Sequence, residues 1–234
     1  MVNLDKTHGQ CRLCTKSFAK AGMARHVCAC RGKLTGAGAG TGGADGLLVA
    51  LEDRYLPSYW LVVEVAPTAT WSDFDGFLRR IWVECCGHMS SFELDGAILT
   101  DDFEEAAEWE DDPHSAMEPI IDAAAVGSRF SYEYDFGTTT ELRGRVLGAV
   151  PGSPAGRLIE VLARNEAPQY LCAACGRIAT TVCALCYQGV DDPCWYCETC
   201  SEQHRCSDPE GDYFLPVVNS PRVGLCGYAG PAEG

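Results

Sequence analysis

Eight metal-ligand side chains fall within one short stretch of this chain: Cys172-x2-Cys175, Cys183-x2-Cys186, Cys197-x2-Cys200, His204 and Cys206. A zinc ion takes four thiolate or imidazole ligands in a tetrahedron, and a two-residue gap lets two sulfurs reach one ion. Eight ligands therefore predict two ions. Only a short hairpin fits between Cys175 and Cys183, which favours a cross-brace over two sequential sites. Cys172, Cys175, Cys197 and Cys200 would hold one ion, and Cys183, Cys186, His204 and Cys206 the other. Cys194-x2-Cys197 is an equally good pair. In that register Cys200 moves to the second site. Closed sites of this kind are structural, so the stretch specifies how the C-terminal part folds.

The remaining composition narrows the class. The chain has 234 residues, 47% of them hydrophobic, enough for one buried core with small modules attached. No apolar run reaches membrane-spanning length, and Asp5, Lys6 and His8 stand where a signal peptide needs apolar residues. Fifteen cysteines without a signal, mostly in C-x2-C pairs, predict metal binding in a reducing, cytoplasmic compartment. The net charge is −15, yet residues 1–33 hold seven basic residues against Asp5 alone. That +6 arm leaves −21 on the body and predicts an anionic partner for the arm.

The arm itself reads Cys11-x2-Cys14-x3-Phe18-x4-Met23-x2-His26-x3-Cys30. Two cysteines suit a hairpin knuckle, and His26 and Cys30 share one helix face. The pattern resembles the ββα zinc finger with Cys in place of the last His, and implies a third zinc ion. Phe18 and Met23 stand where that family keeps its small core. Cys28 points the wrong way to replace Cys30. Small residues at the base-reading positions leave Lys16, Lys20, Arg25, Arg31 and Lys33 as candidate phosphate contacts to nucleic acid.

The expected domains are a finger at 1–31, a flexible Gly-rich linker at 32–46, an α+β domain at 47–170 and a cross-braced zinc module with a tail at 171–234. The linker would leave the finger free relative to the body. Gly38-x-Gly40-x-x-Gly43 lacks the preceding strand and following helix of a dinucleotide site, so no nucleotide cofactor is expected. Strands are predicted at 47–53 and 58–66. A helix capped by Thr70 or Ser72 should run through Cys85, burying Phe74, Phe77, Leu78, Ile81 and Trp82, with Gly87 ending it. Residues 101–118 are strongly acidic and read as a solvated loop. A hairpin around Gly137 and a strand over 157–165 complete the domain.

Thr70-Trp71-Ser72-Asp73-Phe74, His88, Phe92 and Phe130-Ser131-Tyr132-Glu133-Tyr134-Asp135-Phe136-Gly137 stand in an order that resembles the plasmid pRiA4b ORF-three-like (TnpR-like) family. Arg164 to Pro168 and the segment from Val217 to Tyr228 extend the likeness. The resemblance implies an α+β fold and an association with mobile elements; with the finger and the cysteine-rich stretch, the chain is expected to be a mixed central domain flanked by two zinc modules. The C-terminal module likewise resembles B-box and MYND modules, which bind protein partners.

Catalytic motifs fail one by one. Asp135-Phe136-Gly137 lacks the lysine a kinase needs, since none follows Lys33, and reads as a hairpin with Phe136 packed. Cys194-x2-Cys197 lacks the upstream half of a deaminase signature. Cys85-Cys86 reads as packed and inert, and His88 and His114 as structural. The sequence thus predicts a non-enzymatic zinc protein with three ions, contacting nucleic acid through the finger and a protein partner through the rest. The alternatives are a protein-interaction adaptor with a structural finger, and an enzyme using central carboxylates with His88 or His114.

Overall fold

A computed structural model describes residues 7–35, 45–100, 114–151, 156–187, 194–206 and 213–231. The fold is α+β. Strands β1 (His8–Cys11) and β2 (Ser17–Ala19) form a hairpin that leads into helix α1 (Lys20–Thr35). After β3 (Gly46–Asp53) and β4 (Trp60–Val65) comes helix α2 (Trp71–Leu78). Then follow β5 (Ser90–Leu94), β6 (Ala97–Thr100), β7 (His114–Ser115), β8 (Arg129–Tyr134), β9 (Thr140–Val150) and β10 (Ile159–Asn165). These ten strands make one sheet in the order β2-β1-β10-β4-β3-β9-β8-β5-β6-β7, antiparallel except at β6/β7. Strands β11 (Thr181–Cys183), β12 (Trp195–Tyr196) and β13 (Phe214–Pro216) make a smaller sheet in the order β12-β11-β13.

The inner face of the large sheet carries the main core. Helix α2 starts at Thr70, whose hydroxyl accepts from the Asp73 amide while the Asp73 carboxylate accepts from the Thr70 amide. Its Trp71, Phe74, Phe77 and Leu78 are buried, and Trp71 and Phe74 pack on Phe92 and Phe130. The Phe130 ring lies over Gly144 on the neighbouring strand, where a Cβ would come within 2.0 Å of it. The helix does not run to Cys85 as its periodicity suggests. It widens into a π-helical turn over Arg79–Val83, and Glu84 is extended. The Glu84 carboxylate accepts from Arg79 and from the Tyr134 hydroxyl, drawing the chain onto the sheet before Gly87 is reached.

The finger is not free of the body. Strand β1 pairs with β10, Gly9 opposite Asn165 and Cys11 opposite Ala163. Gly9 is required there, since a Cβ would lie 2.2 Å from the Arg164 carbonyl oxygen. Met23 and Val27 of α1 are fully buried on the outer face of the sheet against Leu48, Trp60, Val62 and Leu162. Each such side chain contributes about 1.5–3 kcal/mol of burial. Strand β4 is consequently buried at every position. Residues 32–35 of the expected linker are helical, while the glycine motif at 38–43 and the acidic run at 101–113 lie outside the described residues.

The C-terminal module also joins the main core. Tyr170 stacks on Trp195 with ring centroids 3.8 Å apart, and its hydroxyl meets that of Tyr59 at 2.7 Å. Ala179, Val182, Trp195 and Leu215 belong to the same buried cluster as the inner face. The final segment is anchored by Ser220, whose hydroxyl donates to the Trp82 carbonyl, and by fully buried Arg222.

Candidate metal centres

Among the described residues, four groups of side chains could hold a metal ion, each with its ligand atoms within 4.8 Å of one another. Three are the sets expected from spacing. In the finger, the β1–β2 knuckle supplies Cys11 and Cys14, and α1 supplies His26 and Cys30. Cys14 Sγ lies 3.2 Å from His26 Nε2, and Phe18 stacks on the imidazole at 4.0 Å. Cys28 stays outside the group, partly buried towards the sheet.

The C-terminal module is cross-braced. Cys172, Cys175, Cys197 and Cys200 converge, as do Cys183, Cys186, His204 and Cys206. Cys194 is in neither set. It is fully buried, and its carbonyl accepts from the Cys183 amide. The geometry suits zinc: Zn–S bonds of about 2.3 Å put two sulfurs of a tetrahedron about 3.8 Å apart. Cys175 and Cys197 are 3.7 Å apart, and Cys186 and Cys206 3.3 Å.

Electrostatics also favours a cation. Hydrogen bonding from Arg177 lowers the Cys175 thiol to about 6, so it is ionised at neutral pH. Hydrogen bonds with Cys175 and Cys197 push Cys200 up to about 12. Four thiols this close cannot all ionise unless a positive ion joins them. Arg177 donates to both Cys175 (3.4 Å) and Cys197 (3.3 Å) and offsets part of that charge.

The fourth group was not foreseen. Cys85, Cys86, His88 and Cys226 converge, although the sequence presents the first two as a packed pair and His88 as a lone histidine. Cys86 is exposed. The local Cys-Cys-x-His string was a usable signal. Its partner is 138 residues from His88 and carried none. His114 lies in β7, paired with Leu99. Phe136 is 48% exposed and does not pack, because Asp135 makes the turn by accepting from the amides of Gly137 and Thr138.

The basic residues divide. Lys20 pairs with Glu52 and donates to the Pro57 carbonyl. Arg31 grips the buried Glu64 carboxylate with two bonds, 2.6 and 2.8 Å. These two therefore fasten the finger to the body. Lys16, Arg25 and Lys33 are exposed. Beyond the finger, Arg143 and Arg145 of β9 and Arg129 of β8 stand exposed on the outer face, and Arg129 is directly opposite Arg145. They line a cavity of 350 Å³ together with Lys20, Ala21 and Ala24 of α1. No helix among the described residues is long and apolar enough to cross a membrane.

No protein-family model matches the chain, and no curated protein does. Among solved structures it is similar to a protein of unknown function, MM3350 from Methanosarcina mazei Go1. The identity is 15%, over 53% of this chain and 70% of that one, with a TM-score of 0.44. A likeness of that size carries no argument about function.

Proposed function

We propose that this is a metal-stabilised accessory protein that binds the phosphate backbone of nucleic acid along the groove between α1 and the open part of the sheet. One observation carries the reading. Arg129 and Arg145 face each other across β8 and β9, and neither they nor Arg143 has an ion-pair partner among the described residues. Like charges directly opposite on a sheet are destabilising. In a chain of net charge −15, this cluster of arginines is the part of the surface that suits an external anion. Exposed Arg25 and Lys16 extend the basic surface along the finger, whereas Lys20 and Arg31 serve the body. The contact surface thus shifts from the finger helix alone to the seam beside it. Membership of the pRiA4b ORF-three-like family, with its mobile-element association, is part of this proposal and rests on motif order.

The test is binding of single- and double-stranded oligonucleotides across a salt series. Affinity should fall steeply with salt, and replacing Arg129, Arg143 and Arg145 by Gln should reduce the log–log slope by about two to three. Salt-insensitive or absent binding would remove this reading. A protein-docking role would then gain, supported by Leu171 and Ile178. They bridge each other on the C-terminal module and are 46% and 55% exposed.

A further inference from the structure

We infer that Cys85, Cys86, His88 and Cys226 form a fourth zinc-type site, which is exchangeable and clamps the C-terminal segment to the sheet. The sulfur–sulfur separations are those of a tetrahedron, about 3.8 Å between sulfurs. Cys85 and Cys86 are 3.8 Å apart, and Cys86 and Cys226 3.7 Å. His88 Nε2 lies 2.9 Å from Cys86 and 3.2 Å from Cys226. Three thiolates and an imidazole select a thiophilic ion and disfavour magnesium or calcium, which take oxygen ligands.

Two independent observations support a ligand here. Cys226 has φ +45°, in a turn between Gly224 at +81° and Gly227 at +70°. A side chain in that region costs about 1–2 kcal/mol, so glycine is the residue the turn alone would favour. The thiol is held there against its backbone preference, pointing at three other ligands. Beneath it, Arg222 donates to Cys85 Sγ at 3.5 Å and to the Asp135 carboxylate, which lies 3.4 Å from His88. Arg177 does the same for Cys175 and Cys197 in a set expected from spacing alone. A zinc ion with three thiolates and one neutral imidazole carries net charge −1, and a guanidinium offsets it.

The site differs from the other three in exposure. Each of those includes a buried cysteine, whereas here Cys86 and Cys226 are exposed and neither remaining ligand is buried. Solvent and competing chelators reach the ion directly, so it leaves first. Its ligands come from the turn after α2 and from the segment near the C-terminus, so occupancy controls how firmly that segment is held.

Native mass spectrometry of the full chain, purified with reductant and zinc and then desalted, should count four ions. The Cys86→Ser, Cys226→Ser double variant should count three with unchanged far-ultraviolet circular dichroism. A limiting chelator should release one ion ahead of the rest in the parent and show no such phase in the variant. A readout on the parent alone guards against a variant that fails to fold. With zinc present Cys85, Cys86 and Cys226 should resist iodoacetamide, and after limiting chelation they should be alkylated before any cysteine of the other sets. Three ions in the parent, alkylation of Cys86 and Cys226 at equal rates with and without zinc, or a Cys86–Cys226 disulfide under reducing conditions would each overturn the inference.

Discussion

Over β10, β4 and β3 the outer face of the sheet is apolar and lies under the finger helix. Over β9 and β8 it is charged and open. The covered part presents Leu48, Trp60, Val62 and Leu162, and its buried carboxylate Glu64 is matched by Arg31. The open part presents Arg129, Arg143 and Arg145 without an ion-pair partner among the described residues, beside Glu141, which is held by Arg54 and the Tyr55 hydroxyl. A charge under a cover must be satisfied within the chain, because water cannot reach it. A charge on the open part is free to serve an outside partner. The cations are therefore of two kinds: Lys20 and Arg31 of the finger fasten it to the body, and Arg129, Arg143 and Arg145 stand open on the neighbouring strands.

The largest effect should come from removing the cover. Cys30→Ser takes one ligand from the finger set; a metal held there would contribute folding free energy, so the change should cost about 5 kcal/mol or more in urea unfolding of the zinc-loaded chain. Little change would mean that packing alone holds the cover in place. Next, Arg31→Ala leaves Glu64 buried and unmatched, for a loss of about 3–5 kcal/mol. Arg31→Met combined with Glu64→Leu should restore most of it, and a double-mutant cycle reads the difference.

Asp53 sharpens the contrast, because it is a buried carboxylate with no cation partner among the described residues. Burial pushes it up to about 6 from an ordinary 3.8, although the amides of Tyr55 and Leu56 donate to it. Between these values the unfolded chain has lost a proton that the folded chain keeps. Stability therefore falls as pH rises from about 4 to about 6 and levels off above. Asp53→Asn should abolish that fall, worth about 2–3 kcal/mol, in denaturant titrations at pH 4 and 7. Lys20→Ala breaks a half-exposed pair and should cost no more than about 1 kcal/mol. Smallest of all, Arg145→Gln on the open part should leave thermal stability within about 0.5 kcal/mol while weakening oligonucleotide binding.

Much of this was legible in the sequence where ligands or apolar residues repeat at short range. The C-x2-C pairs marked both C-terminal sets, and His26 with Cys30 marked the finger, because spacing along a knuckle or a helix fixes which atoms can meet. The 3–4 periodicity of Phe74, Phe77 and Leu78 placed α2, and of the two cap candidates, Thr70 and Ser72, the structure uses Thr70. The helix end was misread because Glu84 is drawn off by Arg79 and Tyr134, side chains whose positions no local pattern gives. Cys85 and Cys86 looked inert for the same reason: their partner Cys226 arrives from the far end of the chain.

The sequence by itself determined an α+β chain with three Cys/His sets, a basic arm and an acidic body, since composition and short spacings are local properties. Only the tertiary structure decided that the finger is the cover of the sheet, through β1 pairing with β10 and Arg31 reaching Glu64. Only it opposed Arg129 to Arg145, and only it gathered the fourth set of ligands. Those outcomes depend on strand order and register, and two of them, the β1–β10 pairing and the fourth ligand set, join residues more than a hundred positions apart.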